Sequence, residues 1–215
     1  MGVMRKGLCC IWLVFLCISA RAQCSNVFDA MSPGLQQFLN DHPSAGAILS
    51  NVVTADFANK AVRLEYFHPV DPFVGRSHYQ VSNGVVVISI GDSTMPAEEF
   101  IELYFELKNS EHAEAARKLY ANIISGRTTR DIFAHQMLQL EFAASQATRD
   151  MLATLKDDDA ITQAPLYKNH SECPESFEDF IPYLQRMYAG HPDPLENFGR
   201  QFDAVQRSRG ITNAE

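Results

Sequence analysis

Two rhythms of apolar and polar positions divide this chain. Near the start the spacing is helical: Leu35, Phe38 and Leu39 follow Ser32-Pro33, a capping serine with proline at the first helical position. A second helix is predicted after Ser44, with Ile48, Leu49, Val52 and Val53 on its buried face. The period then drops to two. Val62, Leu64 and Tyr66 alternate with Arg63 and Glu65, the pattern of a half-buried strand. Two more β-rich runs, 78–82 and 85–90, are joined by Asn83-Gly84, the dipeptide that tolerates the positive φ angles of a tight hairpin turn. Val85, Val86, Val87 and Ile88 are apolar without alternation, which suits a central strand or one covered on both faces. A small antiparallel sheet of about three strands is expected.

From Pro96 the helical spacing returns and persists. Helices are predicted over 97–109 and 110–125, the latter ended by Gly126. Thr128-x-x-Asp131 reads as a capping box ahead of a long helix with Phe133, Met137, Leu140, Ala144, Ala147 and Met151 on one face. The charged run Lys156-Asp157-Asp158-Asp159 reads as a solvated break. Two last helices are expected, one through Phe177, Phe180, Leu184 and Met187 and one opening at Asp193-Pro194-Leu195-Glu196. Pro182 is placed to split the former. The predicted class is α+β: a small antiparallel β-sheet with a hairpin, followed by a mostly helical C-terminal two-thirds.

The first 22 residues follow a different logic. Arg5 and Lys6 precede about 12 uncharged residues from Leu8 to Ser19, and Ala20-Arg21-Ala22 supplies small residues at a cleavage site. As a helix the apolar run rises about 18 Å, short of the roughly 30 Å hydrocarbon core. Residues 1–22 are therefore expected to be a signal peptide and 23–215 a single α+β domain, secreted or periplasmic. No later segment is long and apolar enough to anchor in a membrane, so a soluble product is expected. Lipid attachment at Cys24 is the alternative, although Gln23 is not the small residue it requires.

Charge and cysteine usage sharpen this. The leader removes three basic residues and no acidic one, taking the net charge from −8 to −11. Such a chain repels nucleic acid and suits, if anything, a basic partner. Three of the five cysteines lie in the leader, leaving Cys24 and Cys173. In an oxidising compartment that pair is expected to form a disulfide, worth about 4–5 kcal/mol through the long loop it closes. No C-x-x-C spacing points to redox chemistry.

Two stretches carry candidate chemistry. Gly91-Asp92-Ser93, after the apolar strand, looks like the first block of GDSL-type hydrolases, which implies Ser93 as nucleophile. That family takes its base and orienting acid from a late Asp-x-x-His, and this spacing does not occur here. The local alternative is that Asp92, Ser93 and Thr94 make a turn and cap the following helix. That helix carries Glu98, Glu99, Glu102 and Glu106. A hairpin followed by a carboxylate-bearing helix resembles, in architecture, the core of zincin metallopeptidases, whose helix bears His-Glu-x-x-His. Laid over that motif, Ile101-Glu102-Leu103-Tyr104-Phe105 puts Glu102 at the general base, with Ile101 and Phe105 where the two histidines belong. The resemblance implies at most a degenerate relative lacking the zinc ligands.

Glu102 and Glu106 lie one turn apart and form the candidate metal pair, extended by Glu98. The competing expectation is an exposed acidic face complementing the helix dipole. The Glu-x-x-His at Glu65 to His68 falls on a strand, where the two residues point to opposite faces. None of the seven histidines pairs with another at ligand spacing. Asn169-His170-Ser171 is an N-glycosylation sequon, read as a chance occurrence. With no complete catalytic set, the expected function is non-catalytic: binding a protein partner through the acidic helical surface or the aromatic, proline-rich loop 68–76. No cofactor is expected. An exported hydrolase, with Ser93 as nucleophile or a metal at Glu102 and Glu106, is the alternative.

Overall fold

A computed structural model of the protein describes residues 27–57, 61–67, 77–91, 95–187, 189 and 193–208. The expected signal peptide (residues 1–22), Cys24, the stretch 68–76 predicted as a loop, and Ser93 lie outside them.

Ser32 caps the first helix, α1 (Pro33–Asp41), its hydroxyl accepting from the Leu35 amide. His42 then precedes Pro43, a position that disfavours helical backbone, so α1 ends there and α2 (Pro43–Asp56) begins. The His42 ring stacks on Phe38 at 4.3 Å, and its Nδ1 lies 2.6 Å from Asp158 Oδ2. Asp158 also accepts from the amides of Ala160 and Ile161, capping a short helix, α6 (Asp159–Thr162). One carboxylate thus ties the α1–α2 corner to a distant turn. Asp158→Ala is expected to lower stability by about 1–3 kcal/mol in urea denaturation.

The sheet comprises β1 (Ala61–Phe67), β2 (Ser77–Ser82) and β3 (Val85–Gly91), in the order β1-β3-β2. Asn83 and Gly84 both have positive φ, at 52° and 78°, and form the predicted hairpin turn between β2 and β3. The sheet is mixed, not antiparallel throughout: β3 runs parallel to β1 and antiparallel to β2. Its composition explains the order. β3 is buried from Val86 onward and needs a neighbour on each side, whereas the more polar β1 and β2 tolerate the edges. The hairpin returns β3 into the middle, which makes it parallel to β1.

Next comes α3 (Pro96–Glu111), whose N-cap is Met95; the turn predicted at 92–94 lies outside the described residues. The chain continues with α4 (Ala113–Ile124), α5 (Arg130–Thr154), α6, α7 (Pro165–Ser171), α8 (Phe177–Met187) and α9 (Pro194–Ser208). Thr129, one residue later than predicted, caps α5 by accepting from the Ile132 amide. Pro182 removes one backbone bond without splitting α8. The break predicted at 156–159 is short, because α6 and α7 follow it directly. No helix among the described residues is long and apolar enough to cross a membrane.

Two apolar clusters form. One gathers α1, α2, the sheet and α3 around Leu35, Phe57, Ile88 and Phe100. The other gathers α4, α8, α9 and the first half of α5 around Ile123, Phe133, Phe180 and Phe202. At 25 residues, about 37 Å, α5 serves both: Phe133 and Leu138 belong to the second cluster, Met151 and Leu152 to the first. Cys173 is a buried free thiol, pushed up to about 11 by burial, while its predicted partner Cys24 lies outside the described residues.

Candidate functional site

The four glutamates of α3 are buried. Glu98, Glu99, Glu102 and Glu106 are 6%, 3%, 4% and 3% exposed, which overturns the expectation of a solvated acidic face. The reason is that α3 has no outer side. The apolar stripe of Phe100, Ile101, Leu103 and Leu107 accounts for one covered face. The sheet and helices α1, α2, α5 and α7 close around the rest. A helix covered all round is normally apolar all round, so four carboxylates here need individual accounts.

Register gives the first. Tyr66 on β1 and Ser77 on β2 both sit opposite Ile90 of β3. Tyr66 bonds to Glu99, and Ser77 bonds to Glu106. Glu99 and Glu106 are seven residues apart, about 10.5 Å along a helix, close to two strand spacings of about 4.8 Å. Helix α3 therefore crosses the sheet from one edge strand to the other, at the carboxyl end of the parallel pair β1–β3. Glu102 falls between the two along the helix and is also buried. Ligand sites in α/β proteins favour the carboxyl ends of parallel strands.

Glu99 is fully engaged. Its Oε1 accepts from the Tyr66 hydroxyl and its Oε2 from Ser32 Oγ at 2.8 Å, while the Ser32 amide donates to Tyr66 at 2.9 Å. Burial first, and then the Glu99 bond, push the Tyr66 hydroxyl well above its usual range. This network holds α1, β1 and α3 together.

Glu106 differs. Ser77 Oγ donates to its Oε1 at 2.8 Å, but its buried Oε2 has no hydrogen-bond partner. This carboxyl is pushed up to about 8, chiefly by burial, with the Ser77 bond opposing and the charges of Glu141 and Glu102 adding to the rise. Glu141, on α5, is pushed up to about 7 by burial. Tyr79 on β2 is pushed up to about 12 by burial and then by Glu106, Glu141 and Tyr120. At neutral pH the Glu106–Glu141 pair thus retains a proton or more. It can give that proton up to a base, or exchange it for a positive charge that relieves the burial of the anion.

Sequence reasoning singled out Glu102 and Glu106 and missed Glu141, Tyr79 and Ser77. A signal for Glu141 existed: it sits in helical register with Ala134, Leu138, Ser145, Thr148 and Leu152, all buried. The positions matched to the zincin histidines are occupied otherwise. Ile101 is fully buried in the core. Phe105 packs against His170 of α7 at 5.2 Å, and burial pushes that imidazole down to about 4, leaving it neutral. Among the described residues, no group of three or more His, Cys, Asp and Glu is disposed to hold a metal ion.

An open groove of about 290 Å³ lies elsewhere, between the N-termini of α5 and α9, lined by Arg130, His135, Asp193 and Leu195 among others. Arg130 is already paired there with Glu196 at 2.7 Å and Asp203 at 3.2 Å. Gly199 makes room for it, since a Cβ at that position would lie 2.3 Å from the guanidinium carbon. The Arg130 charge is thus balanced by two carboxylates within the fold. No protein-family model, curated protein or solved structure matches the chain.

Proposed function

We propose that this is an exported binding protein whose partner presents a cationic group to the carboxyl site of Glu106 and Glu141. One observation carries the reading. Glu106 is buried with an unpartnered carboxyl oxygen, beside a second carboxyl that burial also holds above its ordinary range. Such an arrangement costs folding stability, and sites kept at that cost are enriched in function. A lysine ammonium or arginine guanidinium entering between the two carboxyls displaces the proton and forms charge-assisted hydrogen bonds. The acidic face belongs to a small buried site, and a broad docking surface on α3 is not part of the proposal. Export rests on the leader sequence of residues 1–22.

An exported hydrolase is the second reading, favoured by the position of Glu102. It is buried on the helix that follows a hairpin, and it is the residue laid over the general base in the zincin resemblance. Any metal there would need ligands beyond those the described residues bring together.

The test adds tetralysine to the mature chain, residues 23–215, in weakly buffered solution at neutral pH and follows proton release and heat. Binding with release of about one proton per chain, lost in Glu106→Gln, is the expected result. Absence of binding, or equal release by the variant, contradicts it. Elemental mass spectrometry of the same preparation addresses the second reading, which requires near-stoichiometric zinc or iron that is lost in Glu102→Ala.

A further inference from the structure

Each group of the carboxyl site has a definite capacity left to bond. Glu106, 3% exposed, engages its Oε1 with the Ser77 hydroxyl at 2.8 Å, while its Oε2 is buried with no hydrogen-bond partner. Glu141 on α5 and Tyr79 on β2 are half-buried, so they form the solvent side of the site and Glu106 its floor. Neither the Glu141 carboxyl nor the Tyr79 hydroxyl is hydrogen-bonded to another described residue.

Strand geometry brings Tyr79 to the carboxyls. Ser77 and Tyr79 are two residues apart on β2 and project from one face, about 7 Å from each other. That is the face on which Ser77 meets Glu106. Helix α5 packs against α3 and carries Glu141 to the same place, and the charges of Glu106 and Glu141 both act on the Tyr79 hydroxyl. Three elements thus present one unengaged acceptor each: Glu106 Oε2 from α3, the Glu141 carboxyl from α5 and the Tyr79 hydroxyl oxygen from β2. The phenol stays protonated at neutral pH and accepts through its lone pairs.

We infer, resting on the cation-binding reading above, that this site takes a primary ammonium, the head group of a lysine side chain, in preference to an arginine guanidinium. An ammonium is compact and points three donors in different directions, one for each acceptor. A guanidinium binds a carboxylate as a planar fork that needs both of its oxygens. On Glu106 the fork is blocked, because Ser77 holds Oε1. On Glu141 the fork sits at the rim and leaves Oε2 of Glu106 unmet, with the cost of its burial unrelieved. Ser77 is therefore a specificity-determining residue: it fixes which oxygen of Glu106 remains open.

Isothermal titration calorimetry of the mature chain, residues 23–215, at neutral pH compares three peptides. They are tetralysine, tetraarginine and tetralysine trimethylated on its side-chain nitrogens, which keeps the charge and removes the donors. Tetralysine is expected to bind about tenfold or more tighter than either of the others. Tyr79→Phe weakens tetralysine about tenfold and leaves tetraarginine unchanged. Ser77→Ala opens Oε1 to the fork and narrows the preference. n-Butylamine is the arm for a free amine: weaker binding than tetralysine supports a lysine on a partner chain, and equal affinity overturns that source. Tetraarginine or the trimethylated peptide binding as tightly as tetralysine, or Tyr79→Phe binding tetralysine as the parent does, overturns the ammonium assignment and leaves the cation reading intact. Binding of none of the peptides overturns both.

Discussion

Glu106→Gln raises stability at pH 8 by about 3–5 kcal/mol and leaves it nearly unchanged near pH 4.5. The sign follows from burial. Unfolded, the Glu106 carboxyl titrates near 4.5; folded, it is pushed up to about 8. The native state therefore holds a proton that the unfolded state releases. Its contribution is fully present below 4.5 and is lost as pH rises through 8. Each unit of difference is worth about 1.4 kcal/mol, so most of the loss falls between pH 5 and 8. Glutamine keeps the shape and an acceptor for the Ser77 hydroxyl but never ionises. Glu141, pushed up to about 7, adds to the slope of both proteins. Urea denaturation at pH 5 and pH 8 measures the effect. A variant less stable than the parent at pH 8 would show that the ionised carboxylate is favoured in the fold.

Glu99→Ala has the opposite sign, with an expected loss of about 3–5 kcal/mol at neutral pH. The substitution strands two half-buried donors, the Tyr66 and Ser32 hydroxyls, that now bond to the two carboxylate oxygens. Each unsatisfied donor costs about 1–3 kcal/mol, and the vacated space adds a cavity term. The loss spreads because Ser32 also caps α1 through the Leu35 amide. Glu99→Gln recovers part of it, since the amide oxygen still accepts one bond while its nitrogen faces a donor. Thermal melts of the two Glu→Gln variants at pH 8 therefore move in opposite directions. Two glutamates on one helix, seven residues apart and equally buried, are thus distinguished: Glu99 holds the fold together, and Glu106 is retained against it.

Much of the fold was legible because its signals are local. Ser32-Pro33 marks the start of α1 whatever surrounds it, and Asn83-Gly84 marks the hairpin because few other pairs tolerate two positive φ angles. The unalternating Val85–Ile88 run correctly indicated a central strand. Strand direction was not legible, because parallel pairing of β1 and β3 depends on where the hairpin returns and leaves no mark on either strand. Helix α7 was missed although Pro165 stands at its first position, since the acidic run before it reads as solvated chain.

The candidate site was half legible. Spacing alone placed Glu102 and Glu106 on one face of one helix. Their burial was not legible, because carboxylates at i and i+4 carry the same pattern on a solvated helix as on one enclosed by a sheet and four helices. Glu141 was passed over when the buried face of α5 was drawn through apolar residues only. The observed face includes Ser145 and Thr148, and Thr148 meets its own hydrogen-bonding need by donating to the Ala144 carbonyl. Polar residues that bond to their own helix can be buried at little cost, and a stripe drawn without them is rotated away from the true one.

The most direct test of a proton-holding carboxyl site is the ¹³C NMR titration of the side-chain carboxyl of Glu106 in the mature chain, assigned by its absence in Glu106→Gln. A midpoint near 8, well above the ordinary value of 4.5, is the predicted result. A midpoint at or below 4.5 would mean that Glu106 is ionised and already neutralised within the fold, and the proposed exchange of its proton for a cationic group would not stand.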